Sequence, residues 1–216
     1  MTVWKYLLDL PGNNSAYQAL CDRGLHPRYS DLERQWPVRD QRVLRNFRKI
    51  LSNLSHWSKV FSDLPYLPYL VFPFVMVYKS DTLGAFETTM SVLVHWCGDW
   101  FETYPHPPIP QLAAVERILE HHDSELLDDL KSRAIDSRQY AWQMMRTLFT
   151  QVLTEDEWLI LFDHFFLHSD SPTLILVTIV TYLHYFRSSI LSAKSSDDVL
   201  ALLRRQNPIQ MDDFIK

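Results

Sequence analysis

Apolar residues recur along this chain at steps of three and four, the spacing that gathers them on one face of a helix. Val43, Leu44, Phe47, Ile50, Leu51 and Leu54 draw one such stripe. Leu112, Val115, Ile118 and Leu119 draw a second, and Trp158, Leu159, Leu161, Phe162, Phe165 and Phe166 a third. Polar residues between the stripes carry helix-start chemistry. Thr154 with Glu157 is a capping box, in which the hydroxyl serves one free amide and the carboxylate reaches back to another. Asp136 with Gln139 is a looser version. Ser171 before Pro172 sets a cap residue next to a proline at the first helical position. Ser195 or Ser196 with Asp197 and Asp198 puts a cap and negative charge at a further helix start. The pattern predicts roughly a dozen helices joined by short polar or proline-rich links.

Glycine sharpens this to an all-α fold. The 216 residues include only four glycines, too few for the left-handed positions of strand-and-turn folds. No fixed-period repeat argues for a solenoid. The longest apolar stretch, Leu174 to Phe186, holds Thr178, Thr181 and His184 and is too short to span a bilayer, so it reads as a buried central helix. Four prolines between Tyr104 and Pro110 forbid helix there and mark a subdomain division near 104–110. The break is too short for a flexible linker, so both halves are expected to pack together. The N-terminus has no basic segment followed by a long apolar run, the form of a signal peptide.

Composition and charge exclude several function classes. Hydrophobic content of 47%, with 13% aromatic, supplies a core. A net charge of −5 is not the footprint of a nucleic-acid binder. Arg39, Arg42, Arg45, Arg48 and Lys49 form a local basic run within a helical pattern and read as a solvated face. Cys21 and Cys97 have no CxxC or metal-finger spacing, which makes a reduced intracellular compartment the default. Phosphate-cradling glycine loops, GxSxG and HExxH are all absent. His164 and His168, four apart with Asp163 and Asp170 nearby, lack a third ligand at a telling spacing and read as a helix flank. His121-His122-Asp123 reads as a helix end passing into the next cap.

One segment has a different character. In Asp31-Leu32-Glu33-Arg34-Gln35-Trp36-Pro37, a carboxylate stands three positions before an arginine and can hold its guanidinium in one orientation. Trp36-Pro37 then ends the local turn and lets Arg34 project. Taken alone, this is an ordinary surface ion pair. Further on comes an aromatic-rich turn, Pro65-Tyr66-Leu67-Pro68-Tyr69-Leu70.

In order and spacing these segments resemble the TBC domain, the Rab GTPase-activating fold, over nearly the whole chain. Trp4-Lys5-Tyr6-Leu7-Leu8 resembles its opening helix. Asp31 to Pro37 resembles the arginine-finger motif IxxDxxR, with Arg28 where the isoleucine belongs. Tyr66 matches the tyrosine of the glutamine-finger motif YxQ, whose glutamine falls on Pro68. Gly84-Ala85-Phe86 and Thr154 to Asp163 resemble later family segments, with Phe162-Asp163 in place of Trp-Asp. His95 to Phe101 and the proline run look closest to the subfamily joined to WD40 repeats and associated with centrosomes and cilia.

The resemblance implies one TBC-type multi-helix domain over 1–216, built of two helical subdomains. It implies a Rab-family GTPase as partner, with GTP and Mg carried by that partner and no cofactor of the chain's own. Arg34 would be the arginine finger, oriented by Asp31; Trp36, Tyr66 and Tyr69 would touch the partner. Pro68 would be an inactive glutamine-finger position, because its side chain can neither donate nor accept a hydrogen bond. Three activities follow: Rab binding with impaired or no activation, residual activation through Arg34 and the Rab's own glutamine, or a helical scaffold with no GTPase partner. The chain is expected to be a monomeric domain cut from a larger protein, without a transmembrane segment.

Overall fold

Helix α4 (Gln41–Trp57) realises the strongest stripe of the sequence, burying Leu44, Phe47, Ile50, Leu51 and Leu54. Asp40 caps it, its carboxylate accepting from the Arg42 and Val43 amides at 2.7 and 3.3 Å. The computed structural model describes residues 2–215; Met1 and Lys216 lie outside them. Among the described residues there is no strand, and no helix is long and apolar enough to cross a membrane. The described residues form sixteen α-helical segments, together with one 3-10 turn (Pro27–Tyr29) and one π-helical turn (Val92–Trp96). The surplus over the expected dozen consists of pieces of four to six residues, too short to show a period. Two compact units divide at Gly98–Asp99, ahead of the proline run, which lies inside the second unit.

In the first unit α1 (Thr2–Leu7), α2 (Asn14–Cys21), α3 (Leu32–Gln35), α5 (Lys59–Asp63), α6 (Leu67–Tyr78) and α7 (Thr82–Ser91) accompany α4, which packs against α2, α5, α6 and α7. Helix α6 is apolar nearly all round and is accordingly sunk into the unit, with Leu67, Leu70, Val71, Phe74, Val75 and Tyr78 buried. Pro68 stands in its first turn, where a missing amide costs no hydrogen bond. Pro73 lies inside the helix and cannot donate to the Tyr69 carbonyl, as a regular helix would require. Gly84 lets α7 approach closely: a Cβ there would lie 2.7 Å from the Tyr78 ring. The buried Glu87 carboxylate accepts from the Gly12 and Asn13 amides at 3.0 and 2.7 Å and fastens the loop between α1 and α2.

The second unit comprises α8 (Gly98–Glu102, which spans the division), α9 (Ile109–His122), α10 (Ser124–Ser132), α11 (Ser137–Arg146), α12 (Glu155–Leu167), α13 (Leu174–Tyr185), α14 (Arg187–Leu191), α15 (Ser196–Leu203) and α16 (Met211–Phe214). Helix α9 packs against α10, α11 and α13. Both capping boxes form in full, at Asp136–Gln139 and at Thr154–Glu157. Ser195 caps α15, accepting from the Asp198 amide. The start expected at Ser171-Pro172 is displaced: α13 opens at Leu174 behind Thr173, and the Ser171 hydroxyl donates to the Asp170 carboxylate. Asp123, buried between α9 and α10, caps α10 and accepts from Arg187 at 2.7 Å.

Candidate functional site

The arginine segment is held by the residues on either side of Arg34. Leu32 is buried two positions before it. Trp36, two positions after it, is half-buried with its ring against Phe47, Tyr69 and Phe72 at centroid distances of 5.4, 4.7 and 5.5 Å. The Glu33 carboxylate takes the Arg48 guanidinium of α4 at 2.8 Å, tying the two helices together. Arg34 itself, on the last turn of α3, is exposed. Among the described residues its side chain has no ion pair and no hydrogen bond.

The expected Asp31–Arg34 pair does not form. Asp31 is the residue ahead of α3, at φ −106° and ψ 28°, and its side chain makes no capping bond. It therefore sits off the helical face on which residues three apart meet. What joins Asp31 to Arg34 is a backbone hydrogen bond, the Arg34 amide donating to the Asp31 carbonyl at 3.1 Å. The ion pair of this motif is Glu33 with Arg48, fifteen positions apart.

Tyr69 meets Trp36 edge to face at 4.7 Å, so the two motif segments share one surface. Pro68, beside Tyr69, is buried in the first turn of α6 and brings no polar atom to that surface. Of the three aromatics expected at the partner, Tyr66 is 8% exposed and belongs to the core, because it leads into the buried face of α6. Trp36 and Tyr69 reach the surface, Tyr69 at 47% exposure. Arg28 is exposed, whereas the neighbouring Tyr29 is buried.

These residues border a groove of about 900 Å³ running between the α3–α4 connection and α6. Sequence reading missed two of its apolar residues, Phe72 and Met76. Their only local signal is position: Phe72 follows Tyr69 by three on a helix and Met76 follows Phe72 by four, so all three share a face. The groove also has Arg39, Arg42 and Lys79 in its lining. Lys79 closes α6 at φ 48°, and its carbonyl accepts from Asn46 of α4 at 2.6 Å.

The fold resembles that of a solved structure, the Ypt/Rab-GAP domain of Gyp1p, at a TM-score of 0.81 over 99% of this chain and 84% of that one, with 13% identity. The class of fold is thus that of Rab-GAP domains. Residues 1–191 match the Rab-GTPase-TBC domain, and the chain belongs to that family. TBC1 domain family member 31 of Mus musculus is 39% identical over 216 residues, all of this chain and 22% of that protein. Its namesake in Xenopus laevis is 39% identical over the same length, 20% of its own. The chain spans about a fifth of these relatives.

Proposed function

We propose that this domain binds a Rab-family small GTPase in its GTP-bound form and accelerates hydrolysis weakly or not at all. The observation that carries the reading is the exposed, unpaired Arg34 beside a Trp36–Tyr69 contact that joins the two motif segments. Family membership makes a Rab the expected partner. A guanidinium presented to developing phosphate charge is worth roughly 10³–10⁵ in rate for GTPases generally. That benefit requires a positioned water. The proline side chain offers no donor or acceptor to orient one, and Pro68 is buried besides. Water positioning would rest with the GTPase's own groups, leaving Arg34 chiefly a binding contact. GTP and Mg would belong to the GTPase. We further propose a role in vesicle traffic at the centrosome or cilium, tested by the location of a fluorescent fusion of the protein in cells.

The experiment is a Rab panel, each member loaded with GTP or GDP, followed by binding and by single-turnover phosphate release. At least one Rab is expected to bind its GTP form at least about tenfold more tightly, with Arg34→Ala weakening it. Release should rise less than about a hundredfold at saturating domain. Equal affinity for the two nucleotide states across the panel refutes Rab·GTP recognition. Acceleration of about 10³ or more, abolished by Arg34→Ala, would instead establish an activator that works without the second finger.

A further inference from the structure

The basic run from Arg39 into α4 divides once its surroundings are known. Arg48 is engaged by Glu33, and Lys49 lies over the Tyr17 ring, 5.2 Å from its centroid. Arg39 and Arg42 are left exposed at the groove, joined there by Lys79 from the end of α6. None of these three side chains has an ion pair or hydrogen bond among the described residues. The carboxylate lining the groove is Asp40, and it is consumed in capping α4. The first unit as a whole leans the same way: residues 1–98 carry 11 Lys and Arg against 8 Asp and Glu, whereas residues 99–216 carry 10 against 18.

We propose that this groove is a docking site for an acidic polypeptide segment bearing a large apolar side chain, recognised independently of any nucleotide. The half-buried rings of Trp36 and Phe72, with Met76 at 37% exposure, form an apolar recess for the anchor. Arg39, Arg42 and Lys79 around it are unneutralised and match carboxylates on either side of that anchor. A buried anchor within a charged rim is the arrangement of specific peptide recognition. The volume, about 900 Å³, is at the upper end of ligand pockets and has room for more than one bulky side chain. A membrane surface fits poorly. Interfacial binding needs a broad face of protruding apolar groups, and here Trp36 and Phe72 are half-buried. The proposal goes beyond the GTPase reading and does not rest on it.

The test uses the whole chain and fluorescein-labelled peptides of about twelve residues, rich in Asp and Glu and carrying one Trp or Phe four positions from a Leu, read by fluorescence polarisation. Controls are the same peptides with Asn and Gln for the acids, and vesicles containing phosphatidylserine. The acidic set is expected to bind at least about tenfold more tightly than the neutral set, and to weaken with salt. Arg39→Glu with Arg42→Glu should remove that preference, and Met76→Asp should weaken binding at least about tenfold. All three positions are exposed, so the fold is expected to survive; a thermal melt matching the parent confirms it. Equal binding of neutral and acidic peptides, binding unchanged in these variants, or vesicle binding without peptide binding each overturns the proposal. Because no GTPase is present in the assay, its failure leaves the Rab panel's outcome untouched, and the reverse holds too.

Discussion

Trp36 is the side chain whose removal should separate the two motif segments. Its ring meets Phe47, Tyr69 and Phe72 within 5.5 Å between centroids. Aromatic pairs of this kind contribute about 0.5–1.5 kcal/mol each beyond area burial. Truncating a fully buried tryptophan costs about 3–5 kcal/mol, and Trp36 is only half-buried. Trp36→Ala is therefore expected to destabilise the first unit by about 2–3 kcal/mol. In a chain of this size that lowers the melting temperature by roughly 5–10 °C. Trp36→Phe, which keeps a ring edge toward Tyr69, should cost about 1 kcal/mol. Hydrogen exchange locates the effect: amides of α3 and the start of α6 should lose protection in Trp36→Ala, while those of α9 keep it. GTP-dependent Rab binding should fall with the alanine variant more than with the phenylalanine one. A melting shift of under about 2 °C for Trp36→Ala, or unchanged exchange in α3, would refute the idea that this ring anchors Arg34's segment.

Three further outcomes are expected. Gly84→Ala places a Cβ 2.6 Å from Asp81 and 2.7 Å from Lys5 and the buried Tyr78 ring; the crowding should cost about 1–3 kcal/mol in chemical denaturation, against the small gain an alanine normally brings to a helix. At Asp123 burial alone would raise the carboxyl, but the Arg187 guanidinium, the Leu126 amide and His184 hold it below the ordinary value of 3.8. A carboxyl depressed in the folded state stabilises above its unfolded pKa and loses that contribution as pH falls through the folded value. Asp123→Ala should thus melt below the parent at neutral pH, by about 2 kcal/mol, with the gap narrowing below pH 3.8; a gap independent of pH would contradict this. Pro68→Gln is expected to leave Rab GTP hydrolysis within about tenfold of the parent, because the position is buried in α6, and to lower the melting temperature by forcing an amide into an apolar site.

Much of the fold is legible because its determinants are local. The period of Val43 to Leu54 specifies α4 without reference to any other part of the chain, and a capping box needs only residues three apart, so Asp136 and Thr154 could be read directly. Ser171 failed as a start signal because α13 opens three positions later, at Leu174 behind Thr173, which leaves Ser171 outside the capping position. The order of the motifs carried the family, now shown over residues 1–191.

The tertiary structure decided the character of the site. Asp31 and Glu33 both stand close to Arg34 in sequence, yet the ion pair belongs to Glu33 and Arg48, which packing brings together from fifteen positions apart. Tyr66 and Tyr69 lie within one turn of each other, yet one faces the core and the other solvent, because the phase of α6 is set by the neighbours it buries against. The groove beside Trp36 arises where α3, α4 and α6 meet and has no counterpart in any single segment. Sequence by itself determined helices, caps and family, since each follows from residues near one another along the chain. Which charges stay free and which rings reach the surface follow from long-range packing, and a local pattern holds no record of that.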